Sequence, residues 1–283
     1  MKRACFLFLA ICLQLSTYSQ EYLYEDFSGT QFPPYGWNTA PIGFHWVKSD
    51  SNHAGGLAPE ACLVGFEQTG TTRFFSPQIN MPGEDTVILT FKNDAVINDT
   101  TGLKIGVATR SQSTWEPVWE IELFHNYGPS DVDILITNQH VGQPYFQFCF
   151  YVTGELSSID YWYIDDVHLY YPENVDCKMQ QILTPGHILG PVPTIGLIRN
   201  LGITTINEVS VSFETYCGVV HDTLLSGLNL DLFEYYVFAF DRKWVSPPGN
   251  NGLKMWINNI DGGPDGDQAN DTLIKIIEFG YGE

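Results

Sequence analysis

The stretch YWYIDDVHLYYP, residues 161–172, sets two adjacent carboxylates inside a run of aromatic and β-branched residues. Tyr, Trp, Val and Ile pack well on a pleated, half-buried surface, so the run predicts a strand. An unpaired carboxylate is costly in a sheet interior, and Asp165 and Asp166 therefore need partners, solvent or a metal ion. The same strand habit extends outward from this stretch. Short runs rich in Val, Ile, Phe, Tyr and Thr recur between clusters of Gly, Pro, Asn and Asp, with almost no helical periodicity. Strands are predicted at residues 23–27, 46–48, 61–64, 73–75, 87–93, 103–109, 118–123, 131–135, 145–152 and 162–170. After YYPENVDC the pattern restarts with TIGLIRNLG, EVSVSFETYC, FEYYVFAF, LKMWINNI and TLIKIIEF. The expected architecture is all-β in two sandwiches, residues 20–172 and 177–279, with 172–176 as a linker.

The first nineteen residues, MKRACFLFLAICLQLSTYS, combine a basic start, a short apolar run and a small-residue cleavage site. This is the pattern of a signal peptide cut before Gln20, and the apolar run is too short to span a membrane. LAIC around Cys12 has Ile11 where a lipobox needs a small residue. No later stretch reaches membrane-helix length, so the mature chain is expected to be secreted or held at the cell surface.

The formal charge is −20, and loss of Lys2 and Arg3 with the leader makes it −22. Such a chain repels a phosphate backbone, which argues against nucleic acid and in favour of cations. Six cysteines are present, two of them (Cys5 and Cys12) in the leader. The remaining four, in an oxidising compartment, allow three pairings. Cys62–Cys149 and Cys177–Cys217 keep each bridge inside one domain and are the expected disulfides; four buried free thiols are the alternative.

Six motifs in order across residues 21–171 carry a family resemblance. They run from YEDFSGTQFPPYGWNT and FHWVKSDSNHAGG through TTRFFSPQINMPG, VILTFKNDA with LKIGVATR, and PYFQFCFYV to the closing YWYIDDVHLY. This region resembles the MAM-like jelly rolls of secreted bacterial proteins, the cleaved-adhesin or choice-of-anchor J domains. The resemblance implies a jelly roll related to carbohydrate-binding modules, often with a structural calcium ion where the first and last strands meet. The residues themselves point the same way. Strand alternation sets Glu25 with Leu23 and Phe27, and Asp165 with Val167 and Leu169, on core faces. If those strands are neighbours, Glu25 and Asp165 converge, and sharing calcium lowers the cost of both. Asp26, Asp166 and Asp50 are candidate further ligands; the alternative is a hydrogen-bonded strand end.

Residues 177–279 resemble immunoglobulin-like modules of the CARDB type, on PTIGLIRNLGITTINEVSVSFE and LKMWINNIDGGPDGDQANDTLIK. Such modules act as spacers and interaction platforms. Asp261, Asp265, Asp267 and Asp271 fall in one loop in which Asp265-Gly266-Asp267 has the character of a cation loop but lacks the EF-hand pattern; it reads as a solvated turn, with a second calcium site as the alternative. The chain stops at IIEFGYGE, where the resemblance implies a sorting segment, so a shortened chain or another export route is expected.

Motifs for catalysis are missing: no HExxH, no GxSxG and no phosphate-cradling glycine loop. The seven histidines are scattered. Glu120 and Glu122 share a strand face as the paired acids of some glycosidases do, without the fuller motif. The expected protein is not an enzyme. Among its many aromatics, Trp37 and Trp46 match packing positions of the resembled family, and Trp115, in the turn STWEP, is the candidate ligand contact. A non-catalytic binding protein for an extracellular glycan or protein is therefore expected, the alternatives being an accessory region of a secreted hydrolase or a structural spacer.

Overall fold

A computed structural model describes residues 20–41, 45–99, 102–188, 190–215 and 217–280; the leader lies outside the described residues. The chain forms two compact units, Gln20–Pro172 and a second that starts at Glu173. Both are β-sandwiches, a jelly roll followed by an immunoglobulin-like module. The only helical element described is a 3-10 turn, Leu156–Ser158. Among the described residues no helix is long and apolar enough to cross a membrane.

Strands are numbered in chain order. In the first unit one sheet runs β3 (Trp46–Ser49), β4 (Glu60–Val64), β11 (Ile159–Tyr170), β6 (Val87–Ile97) and β9 (Tyr127–Ile136), with β1 (Glu21–Glu25) also paired to β11. The facing sheet runs β2 (Asn38–Ala40), β5 (Thr69–Phe75), β10 (Gln147–Glu155), β7 (Leu103–Arg110) and β8 (Glu116–Leu123). Trp37, Trp46, Phe74, Phe91, Phe148, Phe150 and Trp162 fill the space between them. Trp37 stacks on Phe74 with centroids 4.6 Å apart, and Trp46 donates its indole N–H to Thr72 Oγ1 at 3.2 Å. Both tryptophans are core residues, as the sequence predicts. Aromatic pairs in this geometry add to what their buried area contributes.

The second unit packs a three-stranded sheet, β12 (Cys177–Ile182), β14 (Val192–Asn200) and β17 (Tyr235–Trp244), against a five-stranded one. The latter runs β13 (His187–Ile188), β19 (Thr272–Phe279), β18 (Gly249–Ile260), β15 (Ile206–Glu214) and β16 (Val220–Leu230). Val211, Phe213, Phe238, Phe240, Trp244 and Met255 dominate its core.

Two expectations fail here. Residues 173–176 are no free linker, because the second unit claims them. Leu201 and Gly202 donate their N–H groups to Asp176 O, and Gly266 N–H donates to Val175 O. Neither expected disulfide forms, and Cys62, Cys149, Cys177 and Cys217 are all free thiols. Strand alternation explains the first pair. Ala61 and Leu63 point into the core, so Cys62 points out of one sheet, beside Ala54 and Tyr163. Phe148 and Phe150 point inward, so Cys149 points out of the other sheet, beside Ala108 and Tyr151. The two thiols lie on opposite outer faces of the sandwich. Cys177 is buried in the second core while Cys217 is exposed between β15 and β16. Burial pushes the Cys62 and Cys149 thiols up to about 12.

Candidate functional site

The last strand of the first unit is not continuous. Pairing of β11 with β6 slips between Asp165 and His168, and Asp166 adopts φ +48°, a bulge within the strand. Trp162 and Ile164 point into the core before the bulge, and Val167 and Leu169 after it. Asp165 therefore points outward, on the same side as Tyr163 and not with Val167.

Outward is not solvated here, because the loop between β3 and β4 folds back over this face. Glu60, buried and also outward-facing, holds the loop down: its Oε1 accepts from Ser51 Oγ (2.6 Å) and His53 N–H (2.8 Å), its Oε2 from Ala54 N–H (2.9 Å). His53 lies on the Tyr163 ring with centroids 4.6 Å apart. The loop then turns at Gly55, whose φ of +101° favours glycine, and brings Gly56 against the two aspartates. A Cβ at Gly56 would run into Asp165 Oδ2 and stand 3.1 Å from Asp166 Oδ2.

Asp165 is fully buried. Its Oδ1 accepts from the Asp166 N–H at 2.8 Å, while Oδ2 has no hydrogen-bond donor. Burial, and then the charges of Asp166, Glu60 and Asp26, push its carboxyl up to about 7, although the Asp166 N–H opposes this. Lys92 is its cross-strand neighbour but is paired with Asp131 at 3.0 Å.

The other proposed ligands fall differently. Asp166 flanks Gly56 and accepts from Tyr24 OH at 3.3 Å. Asp26 adds its charge, although its own carboxyl is held below the usual range by hydrogen bonds from Ser28. Glu25 pairs in register with Val167, which faces the core, so it lies on the opposite side of the sheet from Asp165. There its Oε1 accepts from Phe27 N–H at 2.9 Å. The expected convergence of Glu25 with Asp165 is thus corrected: β1 and β11 are neighbours, but the bulge sends Asp165 the other way. Asp50 is exposed at the start of the loop. Among the described residues, no group of three or more His, Cys, Asp or Glu side chains stands ready to hold a metal ion. The Gly56 pocket offers two carboxylates, and any ion there must complete its shell with main-chain oxygens or water.

On the far sheet, Trp115 packs against Phe75, and the Arg110 guanidinium lies 4.2 Å from its ring centroid. One face of the indole is therefore covered. Beside it, the turn after β7 and residues 139–143 enclose a recess of about 500 Å³. Ser111, Gln112, Thr114, Gln139, His140 and Gln143 contribute to its lining. His140 is fixed between Ser111 Oγ, 3.0 Å from Nδ1, and Glu116 Oε2, 3.3 Å from Nε2. In the serine-protease relay the contacts are reversed, hydroxyl on Nε2 and carboxylate on Nδ1. Glu120 is held by Lys104 (2.7 Å) and Tyr151 OH (2.6 Å), which lower its carboxyl below the usual range. That shift is opposite to what a general acid beside Glu122 requires.

No protein-family model and no curated protein matches the chain. Among solved structures, the K1 cleaved adhesin domain of Lys-gingipain from Porphyromonas gingivalis is similar at 16% identity and TM-score 0.38, over 53% of this chain and 97% of that one. The CBM22-1–CBM22-2 tandem of Paenibacillus barcinonensis Xyn10C is similar at 9% identity and TM-score 0.37, over 92% of this chain and 98% of that one. CBM22-1–GH10 modules of a Clostridium thermocellum xylanase, solved with xylohexaose, are similar at 10% identity and TM-score 0.41, over 55% of this chain. The match spans 29% of the xylanase chain. None of these likenesses assigns a ligand or an activity.

Proposed function

We propose that this is an exported, non-catalytic binding protein whose first sandwich is stabilised by calcium and carries a glycan-contacting end. The observation that supports the calcium reading is Asp165 Oδ2, fully buried, without a donor and pressed with Asp166 Oδ2 against the Gly56 backbone. A buried carboxylate oxygen in that state needs a proton or a cation, and calcium, a hard ion, accepts carboxylate, main-chain carbonyl and water oxygens together. Asp165 and Asp166 are the side-chain ligands in this reading, and Glu60 positions the loop. The ion would tie the loop to the bulge without taking part in chemistry.

The glycan reading is supported by the recess beside Trp115, with its hydroxyl, amide and imidazole groups. Trp115, which follows the recess residue Thr114 in the chain and is fixed by Arg110, is the candidate aromatic contact. The second sandwich serves in this account as a CARDB-type spacer. A glycan array probed with the mature chain in calcium tests the binding role. Selective binding that weakens about tenfold in a Gln112→Ala/Gln139→Ala variant is expected, a loss of roughly 1.4 kcal/mol. A blank array would remove carbohydrate and leave a protein partner or a spacer role.

A further inference from the structure

The outer face of the sheet that runs from β2 to β8 gathers positive charge in a chain with 33 acids and only 13 Lys and Arg. Thr72 and Phe74 point inward, so Arg73 and Phe75 point out of β5. Val107 is in the core, so Ala108 and Arg110 point out of β7. Cys149 of β10 lies between the two strands, in register with Phe75 on one side and Ala108 on the other. Both guanidinium charges act on its thiol, which places the arginines around one buried sulfur.

Neither arginine has a carboxylate partner. The ion pairs among the described residues involve Lys92, Lys104, His140, His168 and His187. Arg110 donates from Nε and Nη2 to Gln147 Oε1 at 3.1 and 2.8 Å. Gln147 Nε2 donates in turn to Ser76 O at 2.7 Å, so the amide is fixed with its oxygen toward Arg110. Phe75 and Trp115 flank the guanidinium, their ring centroids 5.4 and 4.2 Å from Cζ. A neutral acceptor and two rings thus set the fork in place without neutralising it. Arg73 has Ala40, Tyr151 and the Cys149 thiol as neighbours, and its Nε is buried with no hydrogen-bond partner. The acids of the adjoining strand β8 are already engaged. Glu116 is held by His140 and Gln139, Glu120 by Lys104 and Tyr151, and Glu122 stands opposite Lys104.

Like charges held side by side disfavour each other, and burial adds to that cost; both lower Arg110 below the usual guanidinium range, burial more than Arg73. A bound anion relieves the repulsion and takes up guanidinium N–H donors in charge-assisted hydrogen bonds. Arg110 leads directly into Ser111, part of the wall of the recess beside Trp115. We propose that Arg110 and Arg73 receive the anionic group, carboxylate or sulfate, of an acidic glycan whose adjoining sugar lies in that recess. The inference rests on the glycan reading above and narrows it to acidic sugars. The negative charge of the whole chain does not oppose it, because at physiological ionic strength charges beyond about 8 Å are largely screened.

A glycan array probed with the mature chain in calcium tests it, with uronate-, sialate- and sulfate-bearing glycans beside their neutral counterparts. An acidic glycan is expected to bind at least about tenfold more tightly than its neutral counterpart, and Arg110→Gln and Arg73→Gln each to lose about that factor. Lys254→Gln, which removes the same charge from the second unit, should bind as the wild type does. The carboxylate and sulfate arms identify which anion the arginines take. Equal or weaker binding of the acidic glycans would overturn this inference and leave the glycan reading standing. An acidic preference undiminished in both arginine variants would overturn it as well. A blank array would overturn both, and binding of oligoglutamate in its place would mark the arginines as a protein contact. The wild-type comparison needs no variant to fold.

Discussion

The two sandwiches bury carboxylates in different ways. In the first, Asp165 hangs from a bulge in the middle of a sheet and is covered by a loop that Glu60 pins from the neighbouring strand. In the second, Asp265 and Asp271 belong to the covering loop itself, which closes over the start of its own unit. One pocket is made by a break in strand register, the other by a hairpin loop returning to the sheet. In both, a glycine lets a loop close: a Cβ at Gly56 would meet the Asp165 carboxylate, and one at Gly266 the Val175 main-chain carbonyl. The difference shows that acid density in the sequence is a poor guide to burial. The four loop aspartates look solvated and two are buried, whereas Glu25, on a strand and next to Asp26, shares no pocket with Asp165.

The glycines give the largest expected effects. Gly56→Ala forces the loop away from Asp165 and Asp166 and is expected to cost about 2–3 kcal/mol and abolish the calcium response of the first sandwich. Gly266→Ala, with its Cβ at 2.6 Å from Val175 O, should cost a similar amount while leaving the Gly56 loop calcium-responsive. Urea melts of both variants, with and without calcium, check the pair. A calcium response lost as fully in Gly266→Ala as in Gly56→Ala would dissolve the distinction between the pockets.

A smaller effect follows from protonation. Burial raises Asp165 and Asp176 to about 7 and Asp271 to about 8. A carboxyl raised on folding holds its proton more tightly in the folded state. Its stabilisation is complete below the unfolded value near 4 and is lost as pH rises through 7 to 8. In chelator, the thermal midpoint should therefore fall from pH 5 to pH 8; in calcium, which would substitute for the proton on Asp165, the fall should shrink. A midpoint that rises over this interval in chelator would contradict the assignment of these carboxyls.

The smallest effect distinguishes the two units by their thiols. Reductant should leave the midpoint unchanged, since no disulfide contributes. Native thiol titration should find one fast group, Cys217, whose thiol is exposed and lowered by its hydrogen bond with Thr215, and denaturation should reveal the three buried ones. Fewer than four thiols in denatured, unreduced protein would restore a disulfide.

Much of the fold was legible in the sequence. The strands predicted at residues 87–93, 103–109 and 162–170 lie within β6, β7 and β11, and alternation correctly buried Val167 and Leu169. β16 escaped notice because its sequence, VHDTLLSGLNL, mixes Gly, Asp and Asn into an exposed edge strand. β12 was hidden for a different reason, CKMQQI carrying no β-branched residue before its last position. The site was half legible. Asp165 and Asp166 stood out, yet alternation was carried through them as if the strand were regular. The apolar positions Trp162, Ile164, Val167 and Leu169 change parity between 164 and 167, the mark of an extra residue, and that signal was available. Glu60 gave no such signal, because its role depends on a loop folding back that no local pattern encodes.

The most direct test of the central claim, calcium bound at Asp165 and Asp166, is the thermal midpoint of the mature chain in calcium and in chelator, beside Asp165→Asn. Saturating calcium at about a hundred times its dissociation constant contributes roughly 2.7 kcal/mol, or about 5–10 °C for a chain of this size. The account predicts a rise of that order in the wild type and a clearly smaller one in Asp165→Asn. Equal midpoints in calcium and chelator, or an undiminished rise in Asp165→Asn, would contradict it.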